Sequence, residues 1–238
     1  MIKDNTIPSV SWIRKNLQYK GYGQFLNDHF MALFSPYITR LCIKFGVIPN
    51  YVTLAMVVFG VIGAFFYLFP SLPLKILGIV FIYLWYLMDV VDGEVARATK
   101  QFSKYGKEFD YTAHVIDHPC YTIAFTITVF DYSIWFSLMI ICLGFTDSIF
   151  RSMQSFQIIR TLKEPESVNQ SEVVYPKGYI IKYIFLNLST FPLFALVFSV
   201  LVLISWKVAF VYSICVLFAS IVICMIGVNR WIKVMLHG

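Results

Sequence analysis

Between Asp89 and Asp117 the chain reads DVVDGEVARATKQFSKYGKEFDYTAHVID, with four Asp, two Glu, one Arg, three Lys and a His. Apolar runs long enough to cross a bilayer flank this stretch. Ionisable groups at membrane depth are costly and usually mark a site rather than a scaffold. On a helix advancing about 100° per residue, Asp89 and Asp92 fall roughly 60° apart on one face. They close one apolar run shortly before Asp110 opens the next, so three carboxylates from two antiparallel helices can converge. Without cations such a group is self-repelling. A hard divalent cation removes the conflict, and oxygen ligands suit Mg²⁺ or Mn²⁺. Mg²⁺ is commonly shared between one or two carboxylates and substrate phosphates, which points to a phosphate-bearing substrate. Gly93, Ala96 and Gly106 supply small side chains where a ligand could approach the backbone, and Arg97 supplies a fork suited to phosphate.

The elements that must position these residues are helical and apolar. The 238 residues are 59% hydrophobic and only 13% charged, and mean hydropathy is +0.73. A soluble domain is about a quarter charged, so the composition is that of an integral membrane protein. Aromatics at 18% suit lipid-facing and interfacial surfaces. The five Cys lie scattered in apolar runs without a C-x-x-C pair and read as small buried hydrophobes; neither a disulfide framework nor a zinc knuckle is indicated. No signal peptide is visible in the polar first 28 residues. Residues 1–48 read as a cytoplasmic lead-in, closed by an amphipathic helix over 29–46 that carries Arg40 and Lys44 and stops at Gly46.

Residues 49–238 then hold six spans of about 20 residues each, an all-α polytopic bundle. They are expected over about 49–68, 74–97, 108–130, 133–155, 179–203 and 207–229. Asn50 is placed to cap the first, with Thr53 one turn in. Pro119 and Pro192 fall inside the third and fifth, and residues 157–178 form the one extended polar loop. With the N-terminus inside, every one of the 19 Lys and Arg except Lys75 and Lys207 falls on the cytoplasmic side. The same topology puts the carboxylate-rich turn on that side. The net charge of +6 is then explained by positive cytoplasmic loops and anionic membrane lipids, with no need for nucleic acid.

Asp89-x-x-Asp92-Gly93-x-x-Ala96-Arg97, eight residues, then Gly106-x-x-x-Asp110 resembles the signature of the CDP-alcohol phosphotransferase (CDP-alcohol phosphatidyltransferase) family. The start of the first span, Pro49-Asn50-x-x-Thr53, the interfacial helix and the six-span count are also similar to that family. The resemblance implies a membrane transferase of phospholipid or related lipid metabolism. It would displace CMP from a CDP-alcohol by the hydroxyl of an alcohol or lipid acceptor, at a two-metal site open to the cytoplasm. Asp89, Asp92 and Asp110 would ligate metal. Gly93, Ala96 and Gly106 would pack around the cytidine, with Asn50 and Thr53 on the nucleotide side and Arg97 near the diphosphate. Similar proteins are dimers.

One position departs from the pattern. Where the family has a fourth Asp, both metal ligand and general base, this chain has His114. Asp110 and His114 are i and i+4, so the helical register is kept. His114 can be the base, since imidazole titrates near working pH. It can join the metal shell, which favours Mn²⁺ or Zn²⁺ over Mg²⁺. Or it fills space at a weak or repurposed site. Asp117, about 10 Å along the axis from Asp110, is too far to share a metal but could orient a His ring. His118 reads as a hydrogen-bonded core residue. Asp147 and Arg151 are an i,i+4 ion pair, or Arg151 opens an acceptor-binding pocket. Lys177 and Lys182 read as positive-inside residues. Two other classes stay open: a cation channel or transporter, which would not need the Gly/Ala/Arg spacing, and a zinc hydrolase, which lacks an H-E-x-x-H helix.

Overall fold

The computed structural model describes residues 7–18, 30–103, 105–161, 187 and 190–237. Among these there are eight helices and no strand: α1 (Val10–Asn16), α2 (Ala32–Lys44), α3 (Pro49–Tyr67), α4 (Leu72–Thr99), α5 (Gly106–Phe130), α6 (Ile134–Thr161), α7 (Phe191–Ile204) and α8 (Trp206–His237). Four helices are long and apolar enough to cross a membrane: α3, α4, α6 over Ile134–Met153 and α8 over Trp206–Asn229. The 25-residue α5 is long enough, but its Asp, His and Thr residues lower its hydropathy. Helix α7 has 14 described residues, apolar apart from Ser199. Large apolar side chains stay exposed along the bundle, at Leu54, Val58, Val61 and Phe65 of α3 and at Ile214, Phe218, Ile221 and Met225 of α8. Such stripes are tolerated against lipid rather than water.

Local chemistry explains the boundaries. Gly46 adopts φ +66°, and the Gly46 and Val47 amides donate to the Ile43 and Cys42 carbonyls, so α2 ends in a Schellman turn. Pro49 opens α3 as its first helical residue, which moves the cap back to Ile48. The capping role expected of Asn50 is therefore not seen. Pro192 lies in the first turn of α7, after the Thr190 cap, rather than mid-helix. There its missing N–H has no intrahelical partner to lose. Helix α6 continues through residues 157–161 of the expected polar loop. The rest of that loop, with Lys177 and Lys182, most of 179–189 and much of 1–28, lies outside the described residues.

Helices α4 and α5 run antiparallel, as three contacts down their length record. His114 meets Asp89, Asp117 meets Trp85, and Thr128 meets Lys75. Lys100, at φ 57°, turns the chain out of α4 before Gly106 begins α5. Helix α3 packs on both. Gly63 and Gly78 let it approach α4 closely, since a Cβ on Gly78 would stand 2.8 Å from the Tyr67 amide nitrogen. At the end away from the motif, buried Lys75 donates to the Tyr67 carbonyl at 2.9 Å and meets Thr128 Oγ1 at 3.1 Å. It thereby ties the last turn of α3 to α4 and α5. An aromatic core of Tyr67, Phe125, Phe136, Phe194 and Phe198 joins α3, α5, α6 and α7.

Candidate active site

The motif occupies one side of the last turns of α4. Asp89, Asp92, Gly93, Ala96 and Arg97 recur at the 3–4 spacing of a single face and are half-buried, whereas Val91, Glu94 and Val95 are buried on the other side. Asp110 and His114 come up opposite from the first turns of α5. His114 Nε2 lies 3.1 Å from Asp89 Oδ1 and 3.7 Å from Asp110 Oδ1. One ligand atom from each of the three lies within 4.8 Å of the others. Asp92 stands beside this group: its Oδ2 accepts a 2.7 Å hydrogen bond from Thr53 Oγ1 of α3, and it is close enough to feel the charges of Asp89 and Asp110.

The donor set fits a divalent cation. Asp110 Oδ1 is buried with no hydrogen-bond donor, and so is His114 Nδ1 on the far side of its ring. Two carboxylates turned on one imidazole nitrogen leave more acceptors than donors, an excess that a bound cation would neutralise. An imidazole nitrogen beside the carboxylate oxygens suits Mn²⁺ or Zn²⁺ better than Mg²⁺, which prefers an all-oxygen set.

A sequence model of the CDP-alcohol phosphatidyltransferase family matches residues 46–226. The chain belongs to that family. A comparison with curated proteins gives no match. The match takes in the whole α4–α5 motif and leaves α1 and α2 outside it. As a CDP-alcohol phosphatidyltransferase family member the protein is a transferase of phospholipid-type chemistry, with a CDP-alcohol donor and an alcohol acceptor.

The remaining expected site residues divide. Gly93 lies under the Arg97 guanidinium, where a Cβ would stand 3.1 Å from Nη1. Arg97 Nε donates to the Leu17 carbonyl at 2.7 Å, so the residue is anchored before any ligand arrives. Ala96 is half-buried on the same face; Gly106 begins α5; Asn50 is exposed. Arg151 makes the expected pair with Asp147 at 3.1 Å, and its charge reaches Asp110 and His114. His118, stacked 4.0 Å from Phe191, joins that pair: Nδ1 meets Asp147 Oδ2 at 2.7 Å and Nε2 meets Arg151 Nη2 at 2.9 Å. Asp117 does not turn to a histidine. Fully buried, it accepts from Trp85 Nε1 at 2.8 Å and faces Gly60 of α3, where a Cβ would stand 2.5 Å from its Oδ1.

Sequence reasoning missed Glu94 and Trp85. The signal for Glu94 was available on a helical wheel, which puts it opposite Asp89 and Asp92. For Trp85 nothing in an aromatic run distinguishes a lipid-facing ring from one held at 0% exposure between His114 and His118.

Proposed function

We propose that the protein transfers a substituted phosphate from a CDP-alcohol, either CDP-diacylglycerol or a small CDP-alcohol, to an acceptor hydroxyl, with release of CMP. In this reaction the acceptor oxygen forms a bond to the donor's alcohol-side phosphorus. The bond from that phosphorus to the bridging oxygen breaks, CMP leaves with that oxygen, and the hydroxyl proton goes to a base. The observation that carries the reading is the convergence of Asp89, Asp110 and His114 on one point beside the Gly93–Arg97 face. Asp89, Asp110 and His114 would hold one divalent cation, and Asp92, oriented by Thr53, would complete the ligands of a second. Such cations stabilise negative charge on the attacking and leaving oxygens.

The chain's own residues supply the rest. Gly93, Ala96 and Gly106 leave room for the cytidine, with Asn50 and Thr53 on the nucleotide side. Arg97 meets the diphosphate, and Arg151, held by Asp147 and His118, meets the acceptor. For His114 the ligand role is the better supported, because Nε2 faces both carboxylates while Nδ1 is buried away from them. The base role is the second reading, since the same nitrogen faces the place of reaction. A six-span topology, α2 lying at the interface and a cytoplasmic site belong to this proposal, as does a homodimer. The basic-residue bias and the outward Leu33, Phe34, Tyr37 and Leu41 of α2 support the first three.

The test is CMP release from labelled CDP-diacylglycerol and small CDP-alcohols in proteoliposomes, across a panel of hydroxyl acceptors, with and without Mg²⁺ or Mn²⁺. Metal-dependent CMP release is expected. No turnover together with no cytidine nucleotide binding would sink the proposal.

A further inference from the structure

Glu94 lies inside the motif but points away from it, into the protein. A buried carboxyl group is costly unless its oxygens find donors. Both do: Ser35 Oγ donates to Oε1 at 2.7 Å and Thr39 Oγ1 to Oε2 at 2.5 Å. Ser35 and Thr39 are fully buried and one turn apart on α2, so the inward side of that helix is polar and matched to a single side chain. Helix α2 in turn carries α1. Pro36 has no N–H to give the Ala32 carbonyl, and Gln18 Nε2 donates there instead at 2.7 Å. Arg14 Nη2 donates to the Leu33 carbonyl at 3.0 Å. The residue after α1 then returns to the motif, where the Leu17 carbonyl takes the Arg97 Nε hydrogen bond at 2.7 Å. The contacts close a loop from Glu94 through α2 and α1 to Arg97, three residues further along the same helix.

We infer that Glu94 is a positioning residue for the nucleotide site: it latches α2 onto α4, α2 holds the end of α1, and that end fixes the plane in which Arg97 presents its guanidinium over Gly93. This rests on the proposed role of Arg97 at the donor's diphosphate. Fixing Nε sets the direction of the whole planar fork, and a fork fixed in advance loses less rotamer freedom when an anion binds. The latch lies partly outside the family match, since α1 and α2 precede residue 46.

The test is CDP binding to the full chain in detergent with Mn²⁺, by titration calorimetry. Glu94→Ala weakens CDP binding by about tenfold, as does the double variant Ser35→Ala/Thr39→Val, which leaves Glu94 in place should Glu94→Ala fail to fold. Glu94→Gln stays within about threefold, because each hydroxyl can donate to the amide oxygen or accept from the amide nitrogen. In an Arg97→Ala background, removing Glu94 costs nothing more; a merely structural role would not give that non-additivity. Unchanged CDP affinity in both latch variants overturns the inference, and so does a full additive loss in the Arg97→Ala background. No CDP binding by the unaltered protein overturns the proposed function and the inference together.

Discussion

Replacing His114 separates the roles open to it. Asp89, Asp110 and His114 offer ligand atoms no more than 4.8 Å apart. Two ionised carboxylates at that distance repel by about 3.5 kcal/mol at an effective dielectric constant of about 20, which a shared cation relieves. His114→Ala leaves the repulsion in place and removes the nitrogen ligand. Losing a residue that merely supports a metal ligand costs about 10–100-fold in affinity, so losing a ligand should cost at least about 100-fold. Mn²⁺ binding is read directly by electron paramagnetic resonance, without any need for the correct acceptor, and CMP release is then titrated against Mn²⁺. The expected result is an Mn²⁺ requirement shifted up by at least about 100-fold, with turnover recovering at high metal. His114→Asp should bind again, with preference moved from Mn²⁺ toward Mg²⁺. An unchanged Mn²⁺ requirement with turnover down by about 10²–10⁴-fold would refute the ligand argument and make His114 the base. Unchanged binding and unchanged turnover would remove it from the site altogether.

Three further outcomes follow from the packing. Gly60→Ala drives a Cβ to 2.5 Å from Asp117 Oδ1 and should cost about 1–3 kcal/mol, seen as a lower unfolding midpoint in detergent; an unchanged midpoint would mean α3 and α5 separate freely there. Lys75→Met removes the hydrogen bonds to Tyr67 and Thr128 at the far end of the bundle. It should destabilise by about 1.5–3 kcal/mol while leaving nucleotide affinity intact, and a matching loss of CDP binding would contradict the separation of the two ends. Thr53→Val frees Asp92 from its 2.7 Å hydrogen bond and should weaken metal or CDP binding by about tenfold; no change in either would remove Asp92 from the binding set.

The sequence by itself determined the helical class, the start of each helix from α2 to α6 to within about one turn, and the side of α4 on which the motif residues fall together. Those are matters of period, apolar length and cap residues, which act over a few neighbours. It also put Asp110 and His114 in register, because i,i+4 geometry follows from the helix alone. Pairing across helices is a different problem. That His114 meets Asp89, that Asp92 turns instead to Thr53, and that Asp117 belongs to Trp85 and Gly60 depend on how α3, α4 and α5 cross. Rotating one helix by a single residue moves its side chains about 100° around the axis and exchanges every such partner. The same holds for Glu94, which a helical wheel sets apart from the motif face without showing its partners. It acquires a role only when Ser35 and Thr39, 59 and 55 residues away, are brought against it.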